Sequence, residues 1–306
     1  MPHTMLRTIA LTLAGLAALM LNIDATADAS GPDLASYYER HMALAGGVAY
    51  GWDGQGVPRR MREGVEQVGV GKDRYFALHS DGTLVVWADA PQAAAVLMRG
   101  VARFAAGHSG WFAIDHAGVL WHGNVAAADP PRRVATGVLA ACIGDSADYY
   151  ITQDGTLHVH GLAHRGQYGD GRLSATPGFV ATAGEAVAVK AHTGHAIHLR
   201  RDGTVMGTGG NRFGPLSSHG LGDKADRWGP IFTGARAIAT GSRHSVAIRH
   251  DASLWVWGGE WGTQPRKLLD QVTAVAAGDT ATLAHTADGA LWQWDGAGAA
   301  RRLVLP

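Results

Sequence analysis

Histidine is the residue type through which this chain could most readily do chemistry, because sixteen are present. His158 and His160 are two residues apart, a spacing that places both side chains on one face of a β-strand. Three more follow within a short stretch, at His192, His195 and His198. Imidazole is a common metal ligand, so histidines on neighbouring elements could form a metal site. No organised set of carboxylates accompanies them, so we favour structural roles and expect neither a metal nor a cofactor.

Aspartate is the second candidate for chemistry, since Asp-Gly pairs occur at four predicted chain reversals. They are Asp81-Gly82, Asp154-Gly155, Asp202-Gly203 and Asp288-Gly289. Asp-Gly between apolar segments indicates a two-residue hairpin turn in which both residues adopt positive φ. That turn accounts for the aspartates, and the sequence contains no nucleophile elbow, phosphate loop or paired-cysteine metal motif. We therefore predict no catalytic residue and no enzymatic activity.

These turns belong to a repeat that fills most of the chain. Its aligned turn positions are Gly47, Gly82, Gly118, Gly155, Gly203, Ala252 and Gly289, with steps of 35, 36, 37, 48, 49 and 37 residues. Each copy contains four short strands, as in Ala235–Gly241, Ser245–Arg249, Leu254–Trp257 and an outer segment near Pro265. Repeats of this length and strand content bury their apolar faces only against neighbouring copies.

Tryptophan marks the third strand of the repeat. Seven of the ten tryptophans fall there, at Trp52, Trp87, Trp121, Trp255, Trp257, Trp292 and Trp294. We interpret them as wedges between neighbouring sheets rather than as a row that stacks on carbohydrate, since each buries on the order of 200 Å². Seven such sheets close most simply into a ring. The predicted fold is all-β, a seven-bladed β-propeller of four-stranded antiparallel blades, closed using both chain ends by pairing Arg301–Leu305 with Val48–Asp53.

Two stretches connect the repeat to a known family. Residues 241–258 read Gly-x-x-His-Ser-x-Ala-x-x-x-Asp-x-x-Leu-Trp-x-Trp-Gly, and residues 166–171 read Gly-Gln-Tyr-Gly-Asp-Gly. They resemble the repeat and the Gly-Gln turn of the regulator of chromosome condensation family. Over residues 41–306 the resemblance implies a seven-bladed propeller that binds proteins through one face, and one exported bacterial relative inhibits β-lactamase. The family histidine is present only as His195 and His244, and a tryptophan-aspartate propeller is the competing assignment.

The first residues read as a secretory signal. Arg7 precedes the apolar run Ile9–Leu21, and Ala25-Thr26-Ala27 offers small residues for cleavage. The alternative is an uncleaved anchor. We therefore divide the chain into a signal peptide (1–27), an N-terminal lead-in (28–40) and a single propeller domain (41–306). The exported protein would be periplasmic or extracellular, free of the membrane after cleavage, with Cys142 buried and unreactive.

Charge limits the class of partner. Lys+Arg and Asp+Glu number 26 each, so the chain has no overall attraction to nucleic acid or anionic lipid. We expect a monomer whose partner is another protein. Basic pairs occupy one outer slot in four repeats, at Arg59-Arg60, Arg132-Arg133, Arg266-Lys267 and Arg301-Arg302. They could form a perimeter for an acidic partner, but protection of exposed sheet edges is the interpretation that we favour.

Two long connections should gather on one face of the ring, Leu162–Pro177 and Asn211–Pro230. Arginine mixed with aromatic residues is typical of binding hot spots. The predicted partner-binding residues are Arg165, Tyr168, Arg212, Phe213, Trp228 and Trp261. The alternative is that some of these rings only pack the turns.

Three functional hypotheses follow from these features. We favour a secreted, non-catalytic protein-binding propeller of inhibitor or adaptor type, with its partner unknown. A propeller enzyme or carbohydrate-binding protein using the same face is the alternative. Nucleotide exchange on a small GTPase, which the family resemblance implies, is disfavoured by the export signal.

Overall fold

A computed structural model of the protein describes residues 34–108, 110–125, 129–219 and 222–306. Within these ranges, 28 strands form seven sheets, each of four consecutive antiparallel strands. The sheets are arranged as blades around a central channel, which confirms the predicted seven-bladed propeller. The signal peptide predicted at 1–27 and the first part of the predicted lead-in lie outside the described residues.

Each blade has one strand at each of four distances from the central axis. The innermost strands are β1 (Leu34–Tyr37), β5 (Val65–Val70), β9 (Val101–Ala106), β13 (Val138–Ile143), β17 (Ala186–Ala191), β21 (Ala235–Thr240) and β25 (Val272–Ala277). The second strands are β2 (Arg40–Ala45), β6 (Tyr75–His79), β10 (Gly110–Asp115), β14 (Ala147–Thr152), β18 (His195–Arg200), β22 (His244–Arg249) and β26 (Ala281–Thr286). The third strands are β3 (Val48–Asp53), β7 (Leu84–Trp87), β11 (Leu120–Asn124), β15 (Leu157–Gly161), β19 (Val205–Gly210), β23 (Leu254–Gly258) and β27 (Leu291–Asp295). The outer strands are β4 (Arg59–Glu63), β8 (Ala95–Met98), β12 (Arg132–Ala135), β16 (Val180–Ala183), β20 (Lys224–Phe232), β24 (Arg266–Leu269) and β28 (Arg301–Leu303), and short 3-10 helices span Pro91–Ala93 and Gly259–Trp261.

The Asp-Gly pairs form the hairpins between second and third strands, as predicted, but with a different turn. In blade 2 the Gly82 N–H donates to the His79 carbonyl at 2.9 Å, and Gly82 alone has positive φ, at 76°. The Asp81 carboxylate accepts from the Thr83 N–H at 2.9 Å. The prediction that both residues adopt positive φ is therefore wrong. This is the three-residue hairpin loop, in which only the last residue is left-handed and the aspartate closes the turn with its side chain.

Tryptophans of the third strands pack between neighbouring blades, as predicted. Trp52, Trp87, Trp257 and Trp294 are buried, and the other three are half-buried. Trp257 shows the contact most fully: its ring stacks on Phe232 of the preceding blade at 5.2 Å. Its indole N–H donates to the Pro215 carbonyl at 2.8 Å. One side chain thus supplies both apolar area and a satisfied polar group to the interface between blades.

The predicted pairing of the chain ends is wrong. Strand β28 pairs with β27 of its own blade, with Leu303 opposite Leu291. Val48–Asp53 is already hydrogen-bonded on both sides, by β2 and β4. The reason is that Leu34–Tyr37, which lies within the stretch assigned to the lead-in, completes the first blade. Val48–Asp53 is therefore an interior strand of its blade and has no free side for the C-terminal strand.

The first and last blades meet through side chains. The Arg301 guanidinium donates to the Gln55 carbonyl at 2.6 Å and to the Gly56 carbonyl at 3.2 Å. The Trp52 indole N–H donates to the Gln293 side-chain oxygen at 3.0 Å. These bonds hold the seam of the ring together.

The basic pairs lie on the outer strands, as the repeat predicted. Two of these cations have local ion-pair partners, since Arg60 pairs with Glu63 and Lys267 with Asp270, each at 2.6 Å. Cys142 is a free, buried thiol, as expected, and burial raises its pKa to about 11. Within the described residues, no helix has the length and apolar character needed to span a bilayer.

Candidate functional site

One face of the ring carries the long connections, and we call it the upper face. Antiparallel order places the inner-to-second turns and the third-to-outer connections at this same end of every blade. The two long connections run from 162 to 179 in blade 4 and from 211 to 223 in blade 5. The second is shorter than expected because Lys224–Phe232 is the outer strand β20. Trp228 therefore belongs to a strand and not to a loop.

A cleft of about 540 Å³ opens on the upper face, lined mainly by blades 4, 5 and 6, with Tyr38 of blade 1 and Asp279 of blade 7 at its inner side. We call it the upper-face cleft. Of the six predicted partner-binding residues, Arg165, Arg212 and Phe213 line it. Sequence reasoning missed two further cations in its wall, Lys224 and Arg243. Arg243 lies in a short turn of blade 6, and its proximity to the long connections follows only from closure of the ring.

Phe213 is the exposed apolar side chain of this cleft, with 44% of its surface accessible. Its ring lies beneath the Arg243 guanidinium at 4.6 Å and near that of Arg212 at 5.9 Å. The Phe213 carbonyl accepts from the Gly259 N–H at 2.7 Å, which ties its backbone to the next blade. Guanidinium groups over an aromatic face attract it electrostatically, so the ring is held in place while it remains accessible.

The cleft is cationic although the chain is neutral. Arg165, Arg212, Lys224 and Arg243 outnumber the two lining carboxylates, Asp223 and Asp279. None of these four cations takes part in an ion pair among the described residues. The cleft therefore offers unneutralised positive charge around an accessible aromatic ring, an arrangement that attracts acidic groups.

The other three predicted residues do not line the cleft. Tyr168 is fully buried, and its hydroxyl donates to the Gly161 carbonyl and accepts from the Thr176 N–H, each at 3.1 Å. Trp261 is also buried, beneath the Arg266 guanidinium at 4.5 Å. A glycine-rich connection has few side chains with which to fill its own interior, so Tyr168 fills it.

Trp228 is half-buried and packs edge-on against His198 at 4.7 Å. Its indole also lies close to the backbone of Gly169. The Trp228 ring therefore joins the outer strand of blade 5 to the long connection of blade 4.

Where the cleft meets the upper mouth of the central channel, hydroxyl groups converge on Asp145. The Asp145 carboxylate accepts from the Tyr37 hydroxyl, from the Tyr38 hydroxyl at 3.2 Å and from the Thr193 hydroxyl at 3.3 Å. We call these four residues, together with His192 and Ser242, the mouth cluster. Its members come from blades 1, 4, 5 and 6. The cluster therefore links non-adjacent blades across the axis.

Burial sets the protonation of this cluster. The Tyr37 and His192 rings stack at 4.8 Å. Burial and the hydrogen bond to Asp145 raise the pKa of Tyr37 above its ordinary value. Burial lowers the pKa of His192, while Asp145 and Asp279 oppose that change. Tyr37 therefore stays protonated and donates to the carboxylate, which is a positioning role.

The mouth cluster went unpredicted, but one signal in the repeat marks it. The residue that follows the inner strand is glycine in five blades, at Gly71, Gly107, Gly144, Gly241 and Gly278. A Cβ on Gly144 would lie 2.7 Å from the Ala147 carbonyl oxygen, so the turn itself favours glycine there. Tyr38 and His192 occupy the equivalent position in blades 1 and 5, and their rings lie in the mouth. Comparison of the copies at this position would have singled them out.

The histidines of the repeat contact hydroxyl groups and aromatic rings instead. His195 Nε2 lies 3.2 Å from the Ser245 hydroxyl, and His244 Nε2 lies 3.0 Å from the Thr282 hydroxyl. His158 stacks on Tyr150 at 4.5 Å. In the part of the chain that the structure describes, no group of three or more His, Cys, Asp or Glu side chains is arranged to hold a metal ion.

Comparison with known proteins supports the fold. No family model matches the chain, and no curated protein matches its sequence. Among solved structures, Prp20p of Saccharomyces cerevisiae is similar, with a TM-score of 0.68 and 16% identity over 80% of each chain. Human WBSCR16 has a TM-score of 0.68 and 16% identity, covering 82% of this chain and 85% of its own.

A plant structure is also similar. The ectodomain of the receptor kinase ACR4 of Arabidopsis thaliana has a TM-score of 0.59 and 16% identity, covering 90% of this chain and 98% of its own. At such identities the likeness establishes the propeller fold alone. It agrees with the fold that the repeat predicted.

Proposed function

We propose that this protein is a non-catalytic, protein-binding propeller of inhibitor or adaptor type that works as a monomer outside the cytoplasm. The observation that carries the proposal is Phe213, an accessible ring between two guanidinium groups in a cleft of unpaired cations. Aromatic and arginine side chains are the residue types that dominate binding energy at protein interfaces. Phe213, Arg212 and Arg243 would form the centre of the contact.

Charge complementarity indicates the chemistry of the partner. Four cations against two carboxylates favour an acidic segment with an apolar or aromatic side chain to cover Phe213. Related folds serve as protein-binding platforms elsewhere: Prp20p has binding properties toward Gsp1p and histones, and yeast RCC1 (Prp20) has been seen with Kap60 bound. Those partners belong to those proteins, and only the general role is transferred to this chain.

The binding proposal is tested by crosslinking capture from periplasmic or culture-medium extract with the purified exported protein. The test variant combines Arg212→Ala, Phe213→Ala and Arg243→Ala. The matched control, Arg59→Ala with Arg60→Ala, removes two exposed cations from the rim and leaves the cleft intact. A partner captured by the wild type and the control but lost from the triple variant supports the proposal. Retention of every captured protein by a folded triple variant would refute it.

Location and chemistry need separate measurements. Fractionation of the source cells, with mass spectrometry of the N-terminus, should find a mature chain beginning near Asp28. Recovery from the cytoplasm with residues 1–27 intact would contradict export. Turnover across a hydrolase panel, or saturable binding on a glycan array, would instead favour an enzyme or a carbohydrate-binding protein.

A further inference from the structure

The central channel has an unusual distribution of charge. A cavity of about 190 Å³ lies on the axis and is lined by residues from all seven inner strands. Its wall consists mainly of alanine, valine, glycine and other apolar side chains. Only two lining residues carry a full charge, Arg103 of blade 3 and Lys190 of blade 5, and both are cations. No carboxylate lines the described wall.

These two cations are unpaired among the described residues. Neither takes part in any of the six described ion pairs, and both side chains are half-buried against the apolar wall. Taking charge out of water is costly unless a counter-charge or hydrogen-bond partner compensates. Two half-buried cations without a counter-charge in one cavity therefore favour the binding of an anion there.

A histidine at the upper end of the cavity gives an independent indication of a ligand. His192 lines the cavity and is only 3% exposed. Its Nδ1 lies 3.0 Å from the Thr193 hydroxyl and 3.3 Å from that of Ser242, whereas its Nε2 is buried without a partner. Buried polar atoms in proteins nearly always have a hydrogen-bond partner. An oxygen atom in the cavity would supply one for Nε2.

We infer that the central channel is a binding site for a small multivalent oxyanion such as phosphate or sulfate, held by Arg103 and Lys190 with His192 at the upper end. The arginine suits bidentate contact with two oxygens, and the lysine provides a compact positive charge. The volume admits several water molecules and hence one tetrahedral oxyanion, but not a protein segment. Its cations are not those of the upper-face cleft, because Arg103 and Lys190 line only the channel.

The first test is calorimetric titration and thermal denaturation of the full chain after exhaustive dialysis into phosphate-free chloride buffer. Sodium phosphate and sodium sulfate are the probes, with sodium chloride at matched ionic strength as the reference. We expect saturable binding and a rise in melting temperature with phosphate or sulfate, but not with chloride. Lys190→Met and Arg103→Met should each weaken the affinity about tenfold or more, as loss of a charge-assisted hydrogen bond does. Lys190→Arg should largely retain binding.

Matched variants separate the channel from the outer surface. Lys224→Met and Arg243→Met remove cations from the upper-face cleft and should leave oxyanion affinity unchanged. Loss of affinity in those variants, or no saturable binding by the wild type, would overturn the inference. If Lys190→Met fails to fold, crystals of the wild type soaked in selenate locate the anion by its anomalous signal. Selenium density in the channel would support the site, and density only elsewhere, or none, would overturn it.

Discussion

Blades 4 and 5 differ from blades 1 to 3 chiefly in the connection between the third and outer strands. These connections span 162–179 and 211–223 in the first pair, but only 54–58, 88–94 and 125–131 in the others. The long connections have buried side chains of their own, because Tyr168 and Leu216 are both fully buried inside these connections. Three of the four cleft cations, Arg165, Arg212 and Lys224, also come from blades 4 and 5. The longer connections on one side of the ring therefore form the upper-face cleft, while the four strands of each blade stay the same.

The side of the ring from blade 5 to blade 7 also differs in how its blades are joined. His195 and His244 each bond to a hydroxyl of the next blade, at Ser245 and Thr282. The aligned positions in blades 2, 3 and 4 are Arg74, Gly110 and Ala147, which make no such imidazole bond. Blades 5 to 7 thus depend on neutral, buried imidazole groups.

The largest effect that we predict is loss of stability in acid, which comes mainly from blades 5 and 6 with a further contribution from His41 of blade 1, whose pKa burial lowers to about 4. Burial lowers the pKa of His195 to about 3 and those of His198 and His244 to about 4, against 6.5 when unfolded. The unfolded state therefore takes up more protons below pH 6.5. The stabilising contribution is complete above that pH and is lost as pH falls toward 4, at about 1.4 kcal/mol per pH unit for each histidine. Urea denaturation from pH 7 to pH 4 measures the slope.

A variant sharpens the acid prediction. His195→Gln combined with His244→Gln should flatten the dependence of unfolding free energy on pH, whatever its stability at pH 7. Hydrogen exchange at pH 5 should show blades 5 to 7 opening before blades 2 to 4. An unfolding free energy that stays constant from pH 7 to pH 4.5 would contradict the prediction that the histidine-containing side of the ring is the more sensitive to acid.

The second prediction concerns the wedges on the two sides. Trp257→Ala should lower the unfolding free energy by about 3–5 kcal/mol, because it empties a buried site and removes one of the two donors to the Pro215 carbonyl. Trp121→Ala in blade 3 should cost clearly less, since that ring is half-buried. Chemical denaturation of both variants measures the difference. Equal losses would mean that the wedges are uniform around the ring.

The third prediction concerns the seam between blades 7 and 1. Arg301→Met should cost about 1–2 kcal/mol, since it removes the bonds to the Gln55 and Gly56 carbonyls while keeping the aliphatic stem. Arg302→Met is the matched control, because that neighbouring side chain is exposed. A melting temperature lowered equally by both changes would place the effect in the strand rather than in the seam.

The smallest predicted effect is on the rim. Arg132→Ala combined with Arg133→Ala should change the unfolding free energy by no more than about 0.5 kcal/mol, as is usual for surface substitutions. Light scattering on storage should nevertheless show more association, since charge on an outer strand discourages pairing between sheets. An unchanged tendency to associate would argue against edge protection.

The sequence predicted the blades well because the signals for them are local and repeated. Every hairpin carries an Asp-Gly turn or a third-strand tryptophan, and blades 2 and 7 carry both, so the evidence for the strands lies within each copy. The position of the first strand was less visible. Leu34–Tyr37 has no tryptophan or turn of its own, and it is recognised as a strand only by its pairing with β2.

The site was predicted only in part, because its residues meet across the ring. Tyr37 and Asp145 are hydrogen-bonded although 108 positions separate them. No spacing rule connects such a pair. Residue type alone also failed to distinguish accessible Phe213 from fully buried Tyr168, since both are aromatic residues in glycine-rich connections. Whether a ring fills a turn or faces solvent depends on the path of the connection.

Every blade is made from four consecutive strands, so the polypeptide passes from each blade to the next but does not return from the last blade to the first. Six junctions between blades are crossed by the polypeptide, whereas the seventh, between blades 7 and 1, rests on contacts such as those of Arg301 and Trp52. Opening the ring at that junction would leave every sheet intact. The seventh junction is therefore where a pulling force or a denaturant should first convert the closed disc into an arc.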